Sequence, residues 1–79
     1  MKFLMIDDLM VEGETYTDVV AAMARSKMRR PRSLEQYRQS TADRILEVYQ
    51  LKIDPSTDET FVKSMIVAGL MRKTRAKSR

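Results

Sequence analysis

The feature that most constrains this chain is the absence of both cysteine and histidine from only 79 residues. A domain of this size has a thin hydrophobic core and commonly depends on a disulfide, a metal, a partner subunit or close helix packing. Disulfides and zinc sites of the usual kind are excluded because their ligands are missing. We therefore expect stability to come from packing or association, with no metal and no cofactor.

Two segments show helical periodicity together with start and stop signals. The first is predicted to begin after Thr15, which has Asp18 three residues later in a capping-box pattern. Because a proline disfavours helical geometry in the residue before it, this helix should end near residue 28 or 29, ahead of Pro31. The second, capped by Ser33, has the broadest apolar face and should end at the turn signal of residues 54–55.

A third helix is predicted to follow at once, capped by Ser56 or Thr57. Its main face is apolar, yet Val67 and Met71 fall outside that face. Residues 72–73, both basic, are expected in its last turn, where cations are favourable. A helix that is apolar around most of its girth is normally buried, and a bundle this small cannot easily surround one helix. The pattern therefore predicts a partner or self-association surface, with these residues at its centre: Phe61, Met65, Val67 and Met71.

The N-terminal segment is ambiguous. Phe3–Ile6 is apolar and could be a short strand, but no second strand is evident to pair with it. It could equally form a short helix, and we favour a helical or irregular segment packed on the other helices. The predicted fold is therefore all-α: a small three-helix bundle over residues 1–73, with a short N-terminal segment and a basic C-terminal tail over residues 74–79.

Charge is distributed in blocks. Residues 1–24, 25–44, 45–60 and 61–79 carry net charges of −4, +5, −3 and +6, so a folded chain can present separate acidic and basic surfaces. Two basic clusters stand out, one at the turn around Pro31 and one in the tail. Each is suited to phosphate groups or an acidic protein surface, and each is also consistent with a solvated turn or tail. The clusters comprise Arg25, Lys27, Arg29, Arg30, Arg32, Arg72, Lys73, Arg75, Lys77 and Arg79.

These features favour a binding function over a catalytic one. The chain has no histidine or cysteine for acid–base or nucleophilic chemistry, no phosphate-binding glycine loop and no motif that indicates a family. We expect a small accessory or regulatory protein of the cytoplasm that binds a protein partner or itself, without a membrane or a small-molecule substrate. The alternatives are a nucleic-acid-binding regulator, which would use the basic turn and tail, and a component of a nucleoprotein assembly.

Overall fold

The computed structural model describes residues 1–26 and 33–74 of the chain. A three-stranded antiparallel sheet with the strand order β2-β1-β3 lies against three helices. The elements are β1 (Lys2–Met5), β2 (Met10–Glu12), α1 (Tyr16–Arg25), α2 (Leu34–Tyr49), α3 (Asp58–Val67) and β3 (Met71–Lys73). The fold is thus an α+β mix, and the prediction of an all-α helical bundle was wrong.

The first error lies in the N-terminal segment, which forms a hairpin. Phe3 of β1 lies opposite Val11 of β2, and the Asp8 N–H donates to the Met5 carbonyl over 2.9 Å to close the turn. Asp8 has a φ of 69°, the left-handed conformation that ends a three-residue hairpin loop. Aspartate accepts this conformation more readily than most residues, because its short polar side chain can bond locally. The acidic residues 7 and 8 therefore lie in the turn between two strands.

The second error lies at the end of α3, which was predicted to continue to residue 73. Gly69 has a φ of 81°, and its N–H donates to the Ile66 carbonyl while the Leu70 N–H donates to the Met65 carbonyl. This pair of bonds is a Schellman motif, which ends a helix with a glycine in the left-handed conformation. The chain then turns into β3, in which Met71 pairs with Met5 of β1. The residues after Gly69 are consequently a strand.

The three predicted helix starts are confirmed. Thr15, Ser33 and Thr57 each accept a hydrogen bond from the backbone N–H three residues later, as N-cap side chains do. α1 ends at residue 25 and α2 at residue 49, both earlier than predicted. Gln50, directly after α2, has the left-handed conformation at a φ of 60°. Residues 27–32, which hold most of the predicted basic turn, lie outside the described residues.

The hydrophobic core lies between the inner face of the sheet and the helices. Tyr37 of α2 meets Phe61 of α3 edge to face, with ring centroids 6.1 Å apart. All described elements contribute to one cluster of buried side chains. Its largest fully buried members are Phe3, Val19, Val20, Met23, Phe61, Val62 and Met65.

A charged group joins the three helices where they meet. Arg38 lies on the inner side of α2 with 11% of its side chain exposed, and its guanidinium is paired with the Asp58 carboxylate at the start of α3. The same guanidinium donates to the Pro55 carbonyl over 2.9 Å. Asp58 also accepts a hydrogen bond from the Thr17 hydroxyl of α1 over 2.7 Å. One ion pair therefore fixes α2, the loop before α3 and α1 relative to one another.

Candidate protein-binding site

The structure places the four residues of the predicted interface in different environments. Phe61, Met65 and Met71 are buried in the chain's own core, at 0%, 2% and 3% exposure. Val67 is 88% exposed at the last position of α3. Met71 is buried because it belongs to β3, whose inner face lies on the core, and not to a continuing helix. The four side chains therefore do not form one surface.

The basic residues are also separated. Within the described residues, Arg25 is exposed at the end of α1, while Arg72 and Lys73 are exposed on β3. The other seven predicted basic residues lie outside the described residues: Lys27, Arg29, Arg30, Arg32, Arg75, Lys77 and Arg79.

The described residues that adjoin the two undescribed basic segments lie toward different ends of β1. Ser26, from which the basic turn leaves, borders a cavity that also includes Ile6, just past one end of β1. Thr74, from which the tail leaves, donates its N–H to the Lys2 carbonyl at the other end, over 2.9 Å. The intervening strand spans about 13 Å. Ser26 and Thr74 are therefore not adjacent in the fold.

The largest group of exposed apolar side chains lies elsewhere, at the C-terminal end of α2. Leu46, Val48 and Tyr49 are 50%, 63% and 51% exposed. They are three of the last four residues of α2, which is more apolar residues in one turn than a helix with a single buried face usually has. Leu46 and Val48 are about 200° apart around the helix axis, so they lie on opposite sides of α2. We call these three residues the apolar end of α2.

A groove runs along the same part of α2, between the helix and the hairpin turn. One wall is a strip of α2 side chains spaced four residues apart, and the other wall includes the turn between β1 and β2. Ile6 of that turn is 55% exposed and extends the apolar surface. The groove has a volume of about 360 Å³ and is lined by Met5, Ile6, Asp7, Leu9, Ser26, Tyr37, Thr41, Ile45, Tyr49, Met65 and Leu70.

One wall of the groove carries an acidic side chain, Asp7. Burial raises the pKa of the Tyr37 phenol above its ordinary value, a hydrogen bond with Thr41 opposes the shift, and the negative charge of Asp7 adds to it. Asp7 is the one carboxylate among the described residues that line the groove, and no lysine or arginine is among them. A ligand of this groove would therefore combine apolar groups with a positive charge.

This surface was not predicted, because the apolar residues at the end of α2 were expected on the buried face of the helix. The signal was present: four of the five residues from Ile45 to Tyr49 are apolar, which is wider than a single helix face. We applied that argument to α3, where the neighbouring α1 and β3 cover the helix.

No group of three or more acidic side chains that could hold a metal ion is present in residues 1–26 and 33–74. Within the same part of the chain, no helix combines the length and the apolar character needed to cross a membrane. The chain matches no family model, no curated protein and no solved structure at a significant level.

Proposed function

We propose that this chain is a small non-enzymatic binding protein that docks a protein partner on the apolar end of α2 and the adjoining groove. The observation that carries the proposal is the exposure of Leu46, Val48 and Tyr49, each at least half accessible on the last four residues of a helix. Apolar surface concentrated in this way marks interaction sites on small proteins. As part of the proposal we place the protein in the cytoplasm, since a cysteine-free chain fits a reducing compartment.

The shape of the surface favours a macromolecule over a small ligand. The groove alone, at about 360 Å³, lies at the small end of the range for small-molecule pockets. A small ligand in the groove would leave at least one side of α2 uncovered, because Leu46 and Val48 lie on opposite sides of the helix. A partner helix or loop can insert side chains into the groove and also cover the flanking residues.

The magnitude of the apolar surface favours a different protein over a second copy of this chain. Full burial of an aliphatic side chain contributes about 1.5–3 kcal/mol, so covering one that is half exposed contributes about 1 kcal/mol. Two copies meeting through the apolar end of α2 and Ile6 would gain about 8 kcal/mol in this way. Association costs roughly 4–15 kcal/mol, which leaves a homodimer of millimolar affinity at best. A partner that also contacts Asp7 with a positive charge can bind more tightly.

Site-specific photo-crosslinking tests the proposal in cells that express the protein. A photoreactive side chain at Tyr49 should crosslink a partner that the same group at Glu47 does not, because Glu47 is exposed on the opposite face of the same helical turn. The purified partner should bind the wild-type chain and should lose roughly tenfold or more in affinity to a Val48→Asp variant. Circular dichroism should show that this variant remains folded, since Val48 is largely exposed.

Two results would contradict the proposal. One is equal crosslinking from positions 49 and 47, and the other is unchanged affinity of the purified partner for Val48→Asp. If the crosslinked species is a dimer of the chain, the partner is a second copy, and light scattering at millimolar concentration would then show the dimer.

A further inference from the structure

The outer edge of β3 has backbone groups that no described strand pairs. At the start of β3, the Leu70 carbonyl accepts from the Ile6 N–H over 3.2 Å. At its end, the Thr74 N–H donates to the Lys2 carbonyl over 2.9 Å. In an antiparallel ladder, hydrogen-bonded pairs alternate with non-bonded pairs. The N–H and C=O groups of Met71 and Lys73 must therefore point away from β1. Because β3 is the last strand in the order β2-β1-β3, these groups face an open edge within the described part of the chain.

This edge is positively charged. Arg72 and Lys73 are both exposed, one on each face of β3. The sequence adds no acidic residue anywhere from Phe61 to the end of the chain, and three further basic residues follow β3. An extended segment that pairs with β3 would therefore lie in a field that favours negative side chains.

The positive charge also disfavours pairing of the β3 edge with β3 of a second copy. Two β3 strands paired edge to edge would bring Arg72 and Lys73 of one copy close to those of the other, and like charges across a strand pair are destabilising. Proteins place lysine and arginine on sheet edges to prevent such self-pairing. A strand with acidic side chains reverses the sign of the same interaction.

Open space adjoins the start of β3. A cavity of about 460 Å³ lies where β1 and β3 pair, and it is lined by Leu4, Met5, Ile6, Ile66, Gly69, Met71, Arg72 and Lys73. A side chain at Gly69 would meet no other atom within 4 Å, so the space next to the backbone there is open. An added strand can place an apolar side chain in this cavity while its acidic side chains lie near the two cations.

We propose that the β3 edge binds an extended acidic segment of a partner protein by strand addition, independently of the apolar end of α2. The backbone of Met71 and Lys73 would form the new hydrogen bonds, and Arg72 and Lys73 would select the negative charge. This is the mode in which main-chain bonds supply affinity and alternate side chains supply specificity.

Amide hydrogen exchange with a defined peptide tests the inference. The probe is a ten-residue acetylated peptide in which pairs of adjacent glutamates alternate with single valines, so that glutamate side chains lie on both faces of the added strand. When it binds the full chain, exchange of the Met71 and Lys73 N–H groups should slow by roughly tenfold or more, while that of Arg72, which already points toward β1, should change little. A matched peptide with methylated central amide nitrogens keeps the charge but cannot donate these bonds, and it should not give the protection.

Charge variants complete the test. Arg72→Glu combined with Lys73→Glu should weaken binding of the acidic peptide by roughly tenfold or more and favour a lysine–valine peptide instead. Lys52→Glu, which changes an exposed cation away from the sheet, is the control and should bind as the wild type does. The proposal is overturned if the acidic peptide does not bind, if the methylated peptide binds equally well, or if a single-stranded nucleic acid binds at β3 in preference to the peptide.

Discussion

Replacement of Arg38 by methionine removes the group that joins the three helices. Methionine keeps much of the buried stem but deletes the guanidinium, so the Pro55 carbonyl loses its 2.9 Å donor and Asp58 loses its ion pair. An exposed ion pair contributes about 0.2–1 kcal/mol, whereas breaking a fully buried pair costs about 3–5 kcal/mol. The side chains of this pair are only 11% and 17% exposed, which places it close to the buried case.

Two remaining interactions reduce the cost. Asp58 keeps the hydrogen bond from Thr17, and it lies in the first turn of α3, where the helix dipole favours a negative charge. We therefore expect Arg38→Met to lower the free energy of unfolding by about 2–3 kcal/mol. For a domain of this length, that loss corresponds to a fall in Tm of roughly 10–20 °C.

Urea unfolding followed by far-ultraviolet circular dichroism measures the effect. Arg44→Met is the matched control, because Arg44 lies exposed on the same helix. An Arg38→Met variant within about 0.5 kcal/mol of the Arg44→Met variant would refute the reasoning. A double-mutant cycle with Asp58→Asn should give a coupling energy of about 1 kcal/mol or more, and a coupling near zero would show that the pair does not join the helices.

Four other substitutions test the fold. Gly69→Ala should destabilise by about 1–2 kcal/mol in urea unfolding, solely because its φ is positive, since the added methyl group meets no atom. Gln50→Gly should stabilise by about 0.5–1 kcal/mol by relieving the left-handed cap of α2, and a loss of stability would contradict that assignment. Met71→Asp should leave the chain unfolded at 25 °C by circular dichroism, because it buries a charge in the core; a folded variant would show that Met71 is accessible. Burial raises the pKa of the Tyr37 phenol in the folded state. The stability that this shift contributes is present below the pKa of the unfolded state, about 10, and is lost as the pH rises from there through the pKa of the folded state. Urea unfolding at pH 9 and pH 11 should therefore show a smaller loss for Tyr37→Phe than for the wild type.

The helix starts were predictable from the sequence because their causes are local. A cap such as Thr15 or Ser33 needs only a hydroxyl and a backbone N–H three residues away. The sheet was not predicted because its pairing is distant: Leu4 lies opposite Arg72, and neither sequence neighbourhood identifies the other. Local signals for the turns were nevertheless present in the acidic pair at residues 7–8 and in Gly69.

The candidate site was likewise predictable only where its causes are local. Periodicity identified the apolar side chains of α2 and α3, but it does not determine which of them the rest of the chain covers. Phe61 is buried on α3, which contacts both α1 and β3, whereas Tyr49 is half exposed on α2. Exposure is a property of the tertiary arrangement, so periodicity alone does not identify which apolar side chains remain accessible.

The pairing of β3 with β1 has a consequence for synthesis of the protein. Thr74 bonds to Lys2, a residue 72 positions earlier in the chain. During translation β1 is made before β3, so one side of the central strand lacks this partner until the three helices between the two strands have been synthesised. Until then the nascent chain carries an unpaired strand edge, which is an aggregation hazard.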